Sequence, residues 1–303
     1  MKDIFYNKLL EILKPEQIYR DEPMKNHTTF RIGGPADWFV TPSTKEEIQK
    51  LLMLGMSEKI NVMLVGNGSN LLVGDLGIRG MVIQLGKVFS EIQVEEDRIY
   101  AQSGATLARI AGQAYDNELT GMEFAAGIPG TLGGAVTMNA GAYGGEMKDI
   151  IERVEVIDQK GEILEIPAEE MDLSYRHSRV SSEQWIVLGV WLKLKKGQKT
   201  DIKAAMDEYA LARRTKQPLE YPSAGSTFKR PEGYFAGKLI EDAGLRGFSI
   251  GGAQVSEKHC GFVINKGNAT DKDIVDLMDE VTRKVKETSG VILEPEVRRI
   301  GEF

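Results

Sequence analysis

Seven of the twenty residues in GIPGTLGGAVTMNAGAYGGE (Gly127–Glu146) are glycine, and only Glu146 is charged. An ordinary surface loop of this length would carry more charge. Ile128, Leu132, Ala135, Val136 and Met138 point instead to burial. Buried glycine-rich backbone is a sign that something flat or large lies close against it. A second stretch, LVGNGSNLLV (Leu64–Val73), runs a strand directly into Gly66-Asn67-Gly68-Ser69-Asn70. Glycine tolerates positive φ, so successive backbone N–H groups there can converge on an anion, with Ser69 and Asn70 adding side-chain donors. Taken alone, this stretch also reads as a plain hairpin turn. It is not the G-x-G-x-x-G fingerprint, because the spacing fails and no amphipathic helix follows. Two such loops at strand ends fit an extended dinucleotide, its pyrophosphate over the first.

The rest of the pattern is mixed. Residues 1–20 read as a helix with Phe5, Leu9, Leu10 and Ile12 on one side. TTFRIGGPADWFVTP predicts two short strands around a Gly-Gly-Pro break. Ser43 and Glu46 form a capping-box pattern ahead of a helix with Ile48, Leu51, Leu52 and Met56 at helical spacing. A strand over NVMLVG, a strand pair around 93–103 and a helix from Thr106 to about Asn117 follow. RVEVIDQKGEILEI is an alternating hairpin turning near Lys160-Gly161, and WIVLGVWLKLKKG is a further strand. DIKAAMDEYALARR and the segment from Thr270 to about Glu287 are helical, and VILEPEVRRIGEF is extended. Hairpins outnumber strand–helix–strand repeats, so the expected class is α+β and not doubly wound.

With 303 residues, about two domains are expected. A net charge of −7 argues against a nucleic-acid partner, which needs a basic face. The single cysteine, Cys260, excludes an internal disulfide and fits a reducing cytoplasm. Three histidines and one cysteine, scattered, predict no metal site. No apolar run approaches the ~20 residues of a membrane span, and the charged, amphipathic N-terminal stretch is not expected to be a secretory signal.

Candidate chemistry sits in four places. Ser226 lies in YPSAGSTFKRP (Tyr221–Pro231). A nucleophilic serine needs a base, but His27, His177 and His259 stand in no triad motif and AGSTF is not the G-x-S-x-G elbow. On local grounds Ser226 is a turn residue. LSYRHSR (Leu173–Arg179) gathers Tyr175, Arg176, His177 and Arg179, which suits a carboxylate or phosphate or makes a solvated basic turn. In LEPEVRRIGE, Glu294 and Glu296 would share one face of a strand, functional or merely exposed. Arg213, Arg214 and Lys216 suit a diphosphate, or are the ordinary cations of a helix C-terminus.

In order along nearly the whole chain, NHTTFRIGGPADWFV, VGNGSNLLV, GIPGTLGGAVTMNAGAYGGE, LSYRHSR, YPSAGSTFKRP and EPEVRRIGE resemble the UDP-N-acetylenolpyruvoylglucosamine reductase family. The length and the direct C-terminal run resemble its shorter type, which lacks an inserted tyrosine-bearing loop. The resemblance implies an FAD-dependent oxidoreductase. FAD is held noncovalently in a domain of the vanillyl-alcohol-oxidase-like type, over about 1–197, with subdomains of about 1–60 and 61–197. A substrate domain follows over 198–303, its C-terminal segment returning to the active site. Gly66, Asn67, Gly68, Ser69 and Asn70 would cradle the pyrophosphate. Ile128, Gly130, Gly134, Thr137, Gly141 and Ala142 would line the flavin ring and ribityl chain.

The family's chemistry is reduction of the enolpyruvyl group of UDP-N-acetylglucosamine enolpyruvate, a step of peptidoglycan precursor synthesis, with NADPH as reductant. NADPH and substrate use one site in turn, so no separate nucleotide motif is required. By the same resemblance Arg176 stabilises the enolate, Glu296 assists it and Ser226 donates the proton. Tyr175 and Arg213 contact the substrate, while Lys258 and His259 are candidates for its diphosphate. A cytoplasmic monomer is expected. Two other readings stand beside this one. A flavin oxidase of the same broad fold would often hold FAD through a histidine, which neither glycine-rich loop contains. A noncatalytic flavin or nucleotide sensor would tolerate replacement of Ser226, Arg176 and Glu296.

Overall fold

The computed structural model describes residues 2–303. The chain forms two compact units, both discontinuous in sequence. The first comprises residues 1–19, 38–66 and 80–212, and the second 20–37, 67–79 and 213–303.

The first unit is organised by a five-stranded antiparallel sheet in the order Ile163–Pro167, Ile151–Ile157, Ile186–Lys193, Arg98–Gln102, Ile92–Glu95. The predicted hairpin is its edge, turning through Asp158–Glu162. The helices α1 (Lys2–Leu10), α2 (Lys45–Glu58), α3 (Leu107–Asp116), α4 (Leu132–Thr137) and α5 (Arg179–Glu183) belong to this unit, and α6 (Lys199–Lys216) begins in it. One core joins the sheet to α3 and α4 through Ile99, Ala101, Leu107, Ile110, Leu132, Val136, Val154 and Val190. A second gathers Phe5, Leu9, Trp38, Ile48, Leu51, Met81, Ile83 and Phe89 with Ile157 and Leu188. A four-stranded sheet runs Ile18–Pro23, Pro35–Val40, Ile78–Gln84, Val62–Val65, and the chain passes between units within the first three of these strands.

The second unit packs α7 (Ala236–Asp242) and α8 (Asp271–Ser289) with a three-stranded sheet, Ser249–Ile250, Ala253–Val255, Val263–Asn265. Leu71–Val73 pairs in parallel with Arg298–Ile300, so the chain's end is tied to the residues following Asn70. The core holds Leu239, Val255, Val263, Ile274, Leu277, Val281 and Val297.

Several local expectations shift. The N-terminal helix stops at Leu10, since Pro15 lacks the N–H a helix interior needs and Lys14 before it is extended (φ −78°, ψ 154°). Only Pro35–Val40 of TTFRIGGPADWFVTP is a strand, because Arg31 (φ 56°) and Gly33 (φ 137°) both leave the extended region. Thr44, not Ser43, caps α2 by accepting from the Glu47 N–H at 3.1 Å, while the Ser43 N–H and hydroxyl both donate to the Glu47 carboxylate.

Candidate active site

Within the first unit the long glycine-rich segment is neither all loop nor all buried. Leu132, Ala135 and Val136 enter the core as expected, and they do so on a short helix, α4. Gly134 lies exposed on it. Backbone bonds lock the segment to residues 103–107: Gly133 N–H to Ser103 O (2.8 Å), Leu132 N–H to Ala105 O (2.8 Å) and Leu107 N–H to Gly130 O (3.1 Å). Gly66 closes on the same segment. A Cβ there would lie 2.2 Å from Thr131 Oγ1, so only glycine permits the approach. Ile128 packs beside the core, Thr137 donates its hydroxyl to Gly133 O (2.8 Å), and Gly141-Ala142 forms a two-residue strand paired with Gly145-Glu146.

Arg176 stands in a two-residue turn closed by Ser174 and His177, which exchange both backbone hydrogen bonds (3.2 and 3.1 Å). It is half-buried and left-handed (φ 56°), with its guanidinium 5.1 Å from the ring centre of the half-exposed Tyr175. The turn is fastened to the glycine-rich segment by Asn139 Nδ2 donating to Ser174 O (3.1 Å) and Ser178 Oγ donating to Thr137 O (2.8 Å). Lys148, with help from Asn139 and the charge of Arg176, holds the Glu146 carboxyl below the usual carboxylate range. Asn139 and Glu146 had no signal in the sequence, since neither belongs to a spacing that marks chemistry.

The second unit carries the remaining candidates. Ser226 is exposed, following Gly225 at φ 76°. The residue after it, Thr227, is fully buried and triply bound. Its N–H donates to Gly261 O (2.9 Å), its carbonyl accepts from Glu296 N–H (2.8 Å), and its hydroxyl accepts from Val263 N–H (2.8 Å). Lys229 N–H donates to Glu294 O (2.8 Å), so the Ser226 and Glu296 segments run side by side. The two acids are not equivalent faces of one strand, which starts only at Arg298. Glu294 is exposed and pairs with Lys229, while Glu296 is half-buried. Asn70 also bears on this region, its Nδ2 donating to Glu296 O (3.0 Å) and its carbonyl accepting from Arg298 N–H (2.9 Å).

Among the described residues no acceptor pairs with the backbone N–H of Asn67, Gly68 or Ser69. Gly68 is left-handed (φ 60°), and a Cβ there would meet His27 O at 2.1 Å. Arg213, in the last turn of α6, is half-buried with a buried Nε that has no hydrogen-bond partner, while Arg214 is exposed. Lys258 Nζ donates to Arg214 O (2.8 Å). Burial pushes His259 below its ordinary value, and its Nδ1 accepts from Gly261 N–H (3.0 Å). His177 bonds Asp172 (3.0 Å), and no histidine base is paired with Ser226 among the described contacts.

These features fit FAD. Three unpaired N–H groups on a glycine turn suit a pyrophosphate. The Ser103 hydroxyl, buried beside Gly133 without a partner, and the exposed backbone of Gly134 suit a group laid along α4. No group of three or more metal-ligating side chains occurs among the described residues.

Known proteins agree. An FAD binding domain matches residues 36–167, and the C-terminal domain of UDP-N-acetylenolpyruvoylglucosamine reductase matches residues 217–300. The chain is 54% identical over 302 residues to UDP-N-acetylenolpyruvoylglucosamine reductase of Caldanaerobacter subterraneus subsp. tengcongensis, with 100% of both chains covered. It is 52% identical over 301 residues to that of Clostridioides difficile, with 99% of both covered. The crystal structure of the enzyme from Thermus caldophilus superposes with a TM-score of 0.80 at 36% identity, covering 93% of this chain and 98% of that one. An alkyldihydroxyacetonephosphate synthase shares the fold alone, at a TM-score of 0.51 and 18% identity over 64% of this chain and 40% of its own. With relatives above half identity along its full length, the chain belongs to the UDP-N-acetylenolpyruvoylglucosamine reductase family, in its shorter form.

Proposed function

We propose that this chain reduces the enolpyruvyl group of UDP-N-acetylglucosamine enolpyruvate to UDP-N-acetylmuramate, using NADPH and bound FAD, with Arg176, Ser226 and Glu296 as its catalytic residues. The observation that carries the pairing of Ser226 with Glu296 is the grip on Thr227. A fully buried residue with three backbone-directed hydrogen bonds holds an exposed hydroxyl at Ser226 and ties it to the Glu296 segment.

FAD, held by the glycine-rich residues, would supply hydride taken from NADPH to the terminal vinyl carbon. Charge then builds on the substrate's carboxylate as an enolate. Arg176 stabilises it, since a fixed cation at a developing charge needs no reorganisation. Glu296 assists as a hydrogen-bonded or protonated partner. Ser226 gives a proton to the ether-bearing carbon, completing the addition of hydride and proton across the double bond. A serine is a weak acid, but an enolate is a strong base, and the exposed hydroxyl recovers its proton from solvent. Tyr175 and Arg213 bind substrate, Arg213 through the otherwise unpartnered Nε. Gly66–Asn70 hold the pyrophosphate of FAD, and Ile128, Gly130, Gly134, Thr137, Gly141 and Ala142 its flavin and ribityl portion. Residues 1–197 form the FAD-binding region and 198–303 the substrate region, a division supported by the domain matches at 36–167 and 217–300. The product feeds cell-wall synthesis in the cytoplasm, and through it cell shape and division.

Ser226→Ala tests the central role. NADPH should still bleach the flavin, while reoxidation by substrate slows by roughly 10²-fold or more. Equal loss of both half-reactions would refute proton donation.

A further inference from the structure

Arg176 occupies a left-handed conformation, φ 56°, which is costly for any residue with a Cβ. Such a conformation persists only where its surroundings over-determine it. The surroundings here converge on one buried side chain. Asn139 is 1% exposed and itself left-handed (φ 43°). Its amide is used completely. Nδ2 donates to Ser174 O (3.1 Å) and to Glu146 Oε2 (2.9 Å), and Oδ1 accepts from the Lys148 N–H (2.9 Å). Ser174 is the residue whose paired bonds with His177 close the turn around Tyr175 and Arg176. Glu146 is held in turn by Lys148 Nζ (2.8 Å), and its own N–H donates to Asp149 (2.8 Å). Asn139 lies two residues beyond the end of α4, after Met138, so one amide connects the glycine-rich segment to the carbonyl that anchors the Arg176 turn.

We propose that Asn139 is a positioning residue for Arg176, holding the Ser174 carbonyl so that the guanidinium keeps one place while the enolate forms. The inference rests on reading Arg176 as the cation that meets the substrate's carboxylate. Its physical basis is that a displacement of about 1 Å at a reacting group can cost about 10²-fold in rate. Asn139 acts through Arg176, so its effect should vanish when Arg176 is gone.

The test is a double-mutant cycle in single-turnover kinetics on the FAD-loaded protein. Asn139→Asp keeps the size and the acceptor for Lys148 N–H and removes both donors. Asn139→Ser, neutral and smaller, carries the same cycle if the carboxylate prevents folding. Reoxidation of the reduced flavin by substrate should slow by about tenfold to a hundredfold, with reduction by NADPH changed by less than about threefold and FAD retained. In the Arg176→Ala background the same substitution should slow reoxidation no further. Additive slowing, equal loss of both half-reactions, or unchanged reoxidation in both Asn139 variants overturns the inference. If Arg176→Ala alone leaves reoxidation intact, the role of Arg176 fails first, and the positioning role falls with it.

Discussion

Thr227 shows how a catalytic hydroxyl can be held by its neighbour. Ser226 makes no claim on the core, but Thr227 joins three segments of chain at once. Thr227→Val keeps the shape and leaves the buried Val263 N–H without an acceptor. That should cost about 1–3 kcal/mol of stability, read as a lower denaturation midpoint. An unchanged midpoint would show that the hydroxyl contributes nothing. At this scale Ser226, Arg176, Arg213 and Glu296 could be picked out from the sequence as candidates, because unusual residue types stood in short marked runs. Thr227 and Asn139 could not. Threonine and asparagine are common, and what distinguishes these two is burial with every side-chain polar atom engaged, which only the fold creates. Glu294 and Glu296 do not share the face of a strand, for a related reason. The segment pairs with residues 227–229 through one isolated bridge, Phe228 with Pro295, and not as a regular strand, so alternation does not govern which acid is exposed.

At the scale of elements, the two glycine-rich segments explain each other. Gly66 has no side chain because Thr131 occupies the place a Cβ would take. Gly66→Ala should therefore push residue 66 off Thr131 and lower FAD retention, since overpacking of this kind typically costs about 1–3 kcal/mol. Adding Thr131→Ala removes the colliding Oγ1 and leaves Thr131 Cβ at 3.3 Å, so the double variant should regain FAD. Thr131 makes no side-chain cap bond to α4, so the second substitution removes no cap. FAD bound equally well by Gly66→Ala would contradict this account. Glycine density made the segment visible in the sequence. The helix inside it was not, because α4 is too short and too rich in glycine to announce itself by periodicity.

For the whole molecule, element type was largely legible and chain organisation was not. The hairpin at Lys160-Gly161, the helix after Thr106 and the helix after Thr270 stand where periodicity and caps put them. The grouping of residues 20–37 and 67–79 with the C-terminal third cannot be read along the chain. It depends on pairings such as Leu71–Val73 with Arg298–Ile300, separated by more than two hundred residues, which local composition does not encode. The modest acidity is in keeping with a small-molecule enzyme, and no helix among the described residues is long and apolar enough to cross a membrane. This fold passes reducing equivalents from NADPH through FAD to an enolpyruvyl group. The direct measurement is anaerobic. The purified yellow protein is bleached with one equivalent of NADPH, UDP-N-acetylglucosamine enolpyruvate is added, and the flavin absorbance is followed. The oxidised spectrum should return with formation of UDP-N-acetylmuramate. A protein that cannot be reconstituted with FAD, or a flavin that stays bleached after substrate, would contradict it.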